Sequence, residues 1–278
     1  MGAVPAPVLP SDLDGRHVLA LPAGADVRGL AGAWFVDASW EIPPAPPRQG
    51  RLRLSRTATL TGPWRLPAAR PGEDGLPERD LDLYGLARGE SDPLVLGWAS
   101  AAARRAAGAV VSADRAQVLA PDAAAAADLT LWTGTVLTAT DLVAVARPHL
   151  AGARTEQAMA LPGGRSGGPP AYAVTARFQY DGALTLTAQP RDAVPVAVAG
   201  LAWGEHGPWT YHVAWVPPDP SELTAALPSR QHLIARSRVV PVVARAVRAL
   251  ALAAGGVVVD DGGFPVRDDE LAQRGATL

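Results

Sequence analysis

The sequence predicts an α+β protein of two similar lobes, each a mainly antiparallel sheet backed by a helix that runs into a β-hairpin. Three observations predict it. Apolar residues alternate at period two in several short stretches, the mark of half-buried strands. Two apolar helical stretches end on glycine. Each of those helices is followed by a short valine-rich ribbon, and the second such unit lies 147 residues after the first: Ala106-Ala107-Gly108-Ala109-Val110-Val111 then Asp114, against Ala253-Ala254-Gly255-Gly256-Val257-Val258 then Asp261. This spacing suggests an internal duplication, and two packed copies would leave a groove between them as a natural place for a site.

Residues 1–16 are rich in Pro and Gly and form a flexible lead-in. The first lobe covers 17–150. His17–Leu21 is a strand, and Ala33–Trp40 is apolar. Pro43, Pro44, Pro46 and Pro47 then impose a donor-poor extended connection. Arg51–Leu60 alternates, with Leu52, Leu54, Ala58 and Leu60 on one face, and reads as one strand breached by Arg56. Pro67–Glu90 is polar and reads as a surface excursion. Ser91 or Asp92 caps a helix over Leu94–Ala107, with Pro93 at its first position and Arg104 and Arg105 in its last turn. Ala109–Ser112 and Gln117–Leu119 form the first ribbon, Leu129–Trp132 a further strand, and a helix starts near Asp141.

Ala151–Pro170 carries Gly163-Gly164, Gly167-Gly168 and two prolines without an apolar period, so 151–170 is assigned as the linker. The second lobe, 171–278, opens on a hairpin from Val174 to Leu186 turned at Asp181-Gly182. Trp209–Trp215 alternates as a strand, and Asp219-Pro220 starts a short helix. A long helix over Val239–Ala254 stops at Gly255-Gly256, and Val257–Val259 pairs with Phe264–Val266.

Composition sets firm exclusions. The chain has 278 residues, 48% hydrophobic and 19% charged, with a net charge of −2. That is ample for folded cores and offers no overall field for nucleic acid or anionic lipid. Without cysteine there is no disulfide, thiolate nucleophile or cysteine-held zinc. Without lysine there is no Schiff base and no phosphate-loop lysine. The absence of lysine and asparagine is what the codon bias of a GC-rich bacterial genome produces. Met1–Pro10 lacks the charged-then-apolar build of a secretory signal. No apolar run reaches the roughly 20 residues needed to span a bilayer. The expected setting is the cytoplasm, with no membrane partner.

Five histidines are present: His17, His149, His206, His212 and His232. Glu205, His206, His212 and Asp219 lie close in sequence and are the residues a metal-dependent hydrolase would use, although their spacing fits no ligand template. Ser229, His232 and Asp219 invite a nucleophilic triad, against the simpler role of a cap for Ser229. Gly164-Arg165-Ser166-Gly167-Gly168 spells a nucleophile elbow without the strand and helix that one needs. The acidic clusters Asp260-Asp261 and Asp268-Asp269-Glu270 offer oxygen ligands for calcium or magnesium, but their spacing does not match a calcium-binding helix–loop–helix, and Asp260-Asp261-Gly262-Gly263 is what a hairpin turn needs.

Arginines are unevenly spread. Leu223–Val259 has no acid and holds Arg238, Arg245 and Arg248 on one side of the long helix. Ile42–Gly72 has no acid and holds Arg51 and Arg53. Either patch would suit an anionic partner, unless the nearby acids neutralise it. With no catalytic constellation and no cofactor motif, the sequence points away from an enzyme. Its eight tryptophans, a residue favoured at binding hot spots, point to a non-enzymatic accessory protein acting through protein–protein contact or self-association.

Overall fold

A computed structural model describes residues 9–68, 75–150, 153–156, 158–161, 170–204, 207–225 and 227–276. The chain divides into two compact units, Met1–Ala125 and Ala126–Leu278. Each has its own antiparallel sheet, so the α+β class with two sheets is what the molecule adopts.

Unit 1 runs β1 (Val18–Pro22), α1 (Val27–Gly32), β2 (Ser39–Ile42), β3 (Gly50–Arg53), β4 (Thr59–Leu66), β5 (Leu81–Leu86), α2 (Pro93–Ala106), β6 (Ala109–Val111) and β7 (Val118–Leu119). Its sheet order is β2-β3-β4-β5-β1-β6-β7. Asp92 caps α2 by accepting from the Leu94 amide at 2.9 Å. Ala107 adopts the left-handed conformation, and the Gly108 amide returns to the Ala103 carbonyl at 2.7 Å, closing the helix. Trp98, Ala99 and Ala102 on the inner face of α2 are wholly buried.

Unit 2 runs β8 (Leu129–Thr133), α3 (Ala139–Ala146), β9 (Arg154–Thr155), β10 (Met159–Ala160), β11 (Tyr172–Arg177), β12 (Ala183–Pro190), β13 (Trp209–Val216), α4 (Arg230–Ala254), β14 (Val257–Asp260), β15 (Pro265–Val266) and α5 (Asp268–Ala276). The order is β10-β11-β12-β13-β8-β14-β15, with β9 also on β11. One face of this sheet meets α3 and α4 through a core of Leu131, Val174, Leu186, Tyr211, Val213, Val243, Val247 and Leu250. Over part of the other face, Val198 covers Trp132 and Val259.

The two sheets have the same connectivity. In each, the first strand lies inside, flanked by the last meander strand and by the strand that follows the long helix. The registers correspond at an offset one residue larger than the sequence match: Ala20 faces Ala109 in unit 1, and Trp132 faces Val257 in unit 2. Glycine at the helix exit has a steric cause in both. A Cβ on Gly108 would lie 2.2 Å from the Ala20 carbonyl oxygen, and one on Gly256 2.1 Å from that of Trp132.

Several expectations need correction. β8 and α3, read as part of a first lobe ending at 150, pair and pack with the second sheet, so the division falls at Ala125/Ala126. The stretch assigned as linker contributes β9 and β10, while 151–152, 157 and 162–169, including Gly164–Gly168, lie outside the described residues. Residues 9–16, read as part of a flexible lead-in, contain a 3-10 turn at Ser11–Leu13 whose Leu13 is fully buried; residues 1–8 are outside the described set. Arg51–Leu60 is two strands, because Leu54 and Ser55 both bond the Ala58 carbonyl and fold the chain back around Arg56.

Pro67–Glu90, read as surface, holds β5, whose six residues are all buried. Its Asp82 is tolerated there because Oδ2 accepts from the Gly24 amide at 2.7 Å. Arg65 Nε lies 3.1 Å from Oδ1, an ion pair outside hydrogen-bond geometry. Finally, α4 begins at Arg230, well before Val239, and contains Pro241.

Candidate functional site

The residues worth attention gather where β13 leaves the sheet of unit 2 and α4 begins. The chain between them is held by its own polar side chains. Asp219 Oδ1 accepts from the Ser221 amide at 3.0 Å and its hydroxyl at 2.7 Å, starting a 3-10 turn over Pro220–Leu223. Glu222 Oε2 accepts from the Ser229 amide at 2.7 Å. Ser229 Oγ in turn accepts from the His232 amide at 3.2 Å and caps α4. These hydrogen bonds, led for both acids by the contacts to Ser221 and Ser229, hold Asp219 and Glu222 below the usual carboxylate range, so both are ionised at neutral pH.

Inside this frame sits His232, only 5% exposed. Its ring leans on Trp215 with centroids 4.9 Å apart at 47°. Trp215 is fixed by its indole N–H to the Asp181 carbonyl at 2.8 Å and by its amide to Asp128 Oδ1 at 2.8 Å. Nδ1 of His232 is buried and has no hydrogen-bond partner among the described residues. The imidazole forms part of the wall of a pocket of about 210 Å³ whose other polar lining is Asp219, Glu222, Ser229 and Gln231.

A second depression shares Gln231 and Ala235 with the first and extends over Tyr180, Asp181, Arg230, Ile234 and Arg238. Large apolar side chains are exposed along this stretch of chain. Leu227 is 92% exposed, Tyr180 70% and Leu223 58%, and Val216, Leu233 and Ile234 are also exposed.

Glu205 and His206 lie outside the described residues. His212 is on β13, with Nδ1 2.9 Å from the Thr130 hydroxyl, and burial pushes its imidazole below the ordinary value. Asp219 is the turn cap just described. Among the described residues no group of three or more His, Asp or Glu side chains is placed to hold a metal. Ser229 is a helix cap, as its position suggested, with its hydroxyl occupied by the amide of His232 rather than by its imidazole.

The arginines of α4 have partners in the chain. Arg238 pairs with Asp181 at 3.5 Å, Arg245 Nη1 donates to the Gly275 carbonyl at 2.6 Å, and Arg248 grips Asp268. Two of the three thus face acids, that of Arg248 on α5, a helix absent from the sequence reading, while Arg245 is held by a neutral carbonyl of the same helix. On β3, Arg53 donates to the Ser39 hydroxyl at 3.2 Å, and both Arg51 and Arg53 are exposed. Of the eight tryptophans offered as contact residues, Trp98, Trp132, Trp209 and Trp215 are buried and Trp34, Trp40, Trp64 and Trp203 are half-buried.

Sequence reasoning missed Glu222, Leu227 and Ile234. The available signal was Leu223, Leu227, Leu233 and Ile234, four large apolar residues around a capped helix start. A helix read from Val239 hides it, because the helix starts at Arg230.

No protein-family model, curated protein or solved structure matches this chain. Among the described residues no helix is long and apolar enough to cross a membrane.

Proposed function

We propose that this chain is a non-enzymatic accessory protein that works by protein–protein contact, and that the contact surface is the face of unit 2 at the start of α4. The observation that carries the reading is the concentration of exposed large side chains there: Leu223, Leu227, Leu233 and Ile234 lie within twelve residues of chain, beside Tyr180. Soluble proteins scatter such residues singly. A cluster rimmed by charge, as here by Arg230, Asp181 and Arg238, is how binding surfaces are built. The same reading takes the cytoplasm as the setting and the matching connectivity of the two units as the product of one copied unit.

Neither the hydrolase reading on Glu205, His206, His212 and Asp219 nor the anion-binding reading on the α4 arginines gains support from the described residues. His212 and Asp219 serve separate local contacts, and the arginines have partners.

The test compares the full chain with Leu227→Asp and Ile234→Asp variants. Proteins captured from the host by each are identified by mass spectrometry, and self-association is followed by analytical ultracentrifugation. The reading expects a partner, or a dimer, retained by the parent chain and lost by both variants. Association that is indifferent to these substitutions would overturn it.

A further inference from the structure

We propose that a cavity on the face of the unit 2 sheet turned away from α4 binds a small organic carboxylate with an apolar body. The site is separate from the contact surface at the start of α4 and does not rest on it.

The shared connectivity of the two units lets corresponding positions be compared. In unit 1, Val18 of β1 faces Gly85 of β5 on one side and Val111 of β6 on the other. That place is filled. Val18 is wholly buried, and a Cβ on Gly85 would lie 2.7 Å from Leu13 Cδ2 and 3.2 Å from Arg16 Cδ. In unit 2 the corresponding residues are Thr130 of β8, His212 of β13 and Val259 of β14. Thr130 and His212 are only half-buried, and a cavity of about 570 Å³ opens over Thr130 and Trp132. An apolar plug in one unit thus gives way in the other to a hydroxyl, an imidazole and open space. The space forfeits the packing that Leu13 supplies in unit 1, and its size falls within the roughly 300–1,000 Å³ of small-molecule sites.

The walls are fixed in advance. Trp132 stands edge-on to Trp203, with centroids 6.4 Å apart, and packs against Val198. The facing wall runs from Pro190 to Pro195. It is pinned at one end by the Arg191 amide, which donates to the Pro208 carbonyl at 2.9 Å. At the other, the Val198 amide donates to the Pro195 carbonyl at 3.0 Å. With Val194 and the two prolines, this wall offers an apolar body a dry surface.

Charge selects the head group. Arg191 is exposed on the rim and has no hydrogen-bond or ion-pair partner among the described residues, whereas its neighbour Asp192 is already engaged within the chain. A guanidinium fork matches the two oxygens of a carboxylate. Thr130 supplies a second contact. Its hydroxyl lies 2.9 Å from His212 Nδ1. Burial lowers the His212 pKa, so the ring is neutral at neutral pH. A neutral ring protonated on Nδ1 donates to the threonine oxygen, which leaves the hydroxyl hydrogen for a carboxylate oxygen. A phosphate would bring a second negative charge beside Asp192, and an ammonium would meet Arg191. Acetate would leave Trp132 and Val194 uncovered.

The experiment follows the Trp132 indole and the His212 imidazole by 1H–15N NMR in the full chain, assigned with Trp132→Phe and His212→Gln. Probes are 3-phenylpropanoate, its neutral amide, 3-phenylpropylamine, acetate and phenyl phosphate. Saturable shifts of both signals are expected with 3-phenylpropanoate, which should bind at least about tenfold tighter than any other probe. Arg191→Gln, at an exposed position, should weaken it by about tenfold. Ala193→Trp, which fills the cavity, should abolish binding. Arg177→Gln, on β11 of the same sheet, should leave it unchanged.

Failure of 3-phenylpropanoate to saturate, or shifts that leave Trp132 and His212 untouched, would overturn the proposal. So would equal binding of the amide, tighter binding of the amine or of phenyl phosphate, or unaltered affinity in Arg191→Gln. Equal weakening by Arg177→Gln would reduce the attraction to a diffuse field and overturn it as well.

Discussion

Arg248 on α4 holds Asp268 at the start of α5 in a two-point ion pair, with Nε 2.6 Å from Oδ1 and Nη2 3.0 Å from Oδ2. Three residues earlier on α4, Arg245 reaches the Gly275 carbonyl. Two arginines that look like a free basic stripe in the sequence thus brace the C-terminal helix. The ion pair is in water, where such contacts contribute little. Leu271, 2% exposed, supplies the apolar anchor. Leu271→Ala is expected to cost about 2–4 kcal/mol and Arg248→Ala far less, as measured by urea unfolding. A larger loss for the arginine would contradict this view of α5.

The helix-exit glycines make a second prediction. Gly108→Ala and Gly256→Ala each place a methyl group against a strand carbonyl, at 2.2 and 2.1 Å, and neither backbone can withdraw without breaking its ladder. Each should destabilise its unit by about 1–3 kcal/mol, with Gly256 the worse because its φ of 108° also disfavours a side chain. Gly97, inside α2, is the control. Its nearest neighbour is Trp34 at 4.0 Å, so Gly97→Ala should stabilise by up to about 1 kcal/mol. Thermal melts of the three variants decide it; a neutral Gly108→Ala would show that the close approach is not constraining.

Stability should also depend on His212. Burial lowers its imidazole pKa, opposed by the Asp128 carboxylate and assisted by Arg191. The unfolded chain therefore takes up the proton first, near pH 6.5. This group's contribution is complete above that pH and is lost as pH falls toward the folded-state value. Urea midpoints at pH 8 and pH 5.5 should fall further for the parent chain than for His212→Gln. Parallel losses in both proteins would refute the assignment.

Much of the architecture is legible in the residues. Asp92-Pro93 and Gly108 bracket α2, Asp181-Gly182 turns β11 into β12, and period-two alternation marks β13. What is hidden depends on distant partners. β5 is disguised by Asp82 and Gly85. The first is neutralised by Gly24 and Arg65, and the second is needed because a Cβ would lie 2.7 Å from Leu13 Cδ2. The division between units is hidden because β8 is read beside its chain neighbours, whereas its ladder partners are β13 and β14. The site shows the same limit. Asp219 announces its turn locally, but the unpaired Nδ1 of His232 exists only once Trp215 and the capped loop enclose it.

Docking of a partner at the start of α4 would leave a hydrogen–deuterium exchange footprint there. The full chain would be compared alone and with the partner, or at the concentration of self-association, identified by the capture experiment. Slowed exchange is predicted across residues 218–238 and at the Tyr180–Gly182 turn, with α2 unchanged. Protection confined to other elements, with 218–238 exchanging as in the free protein, would contradict it.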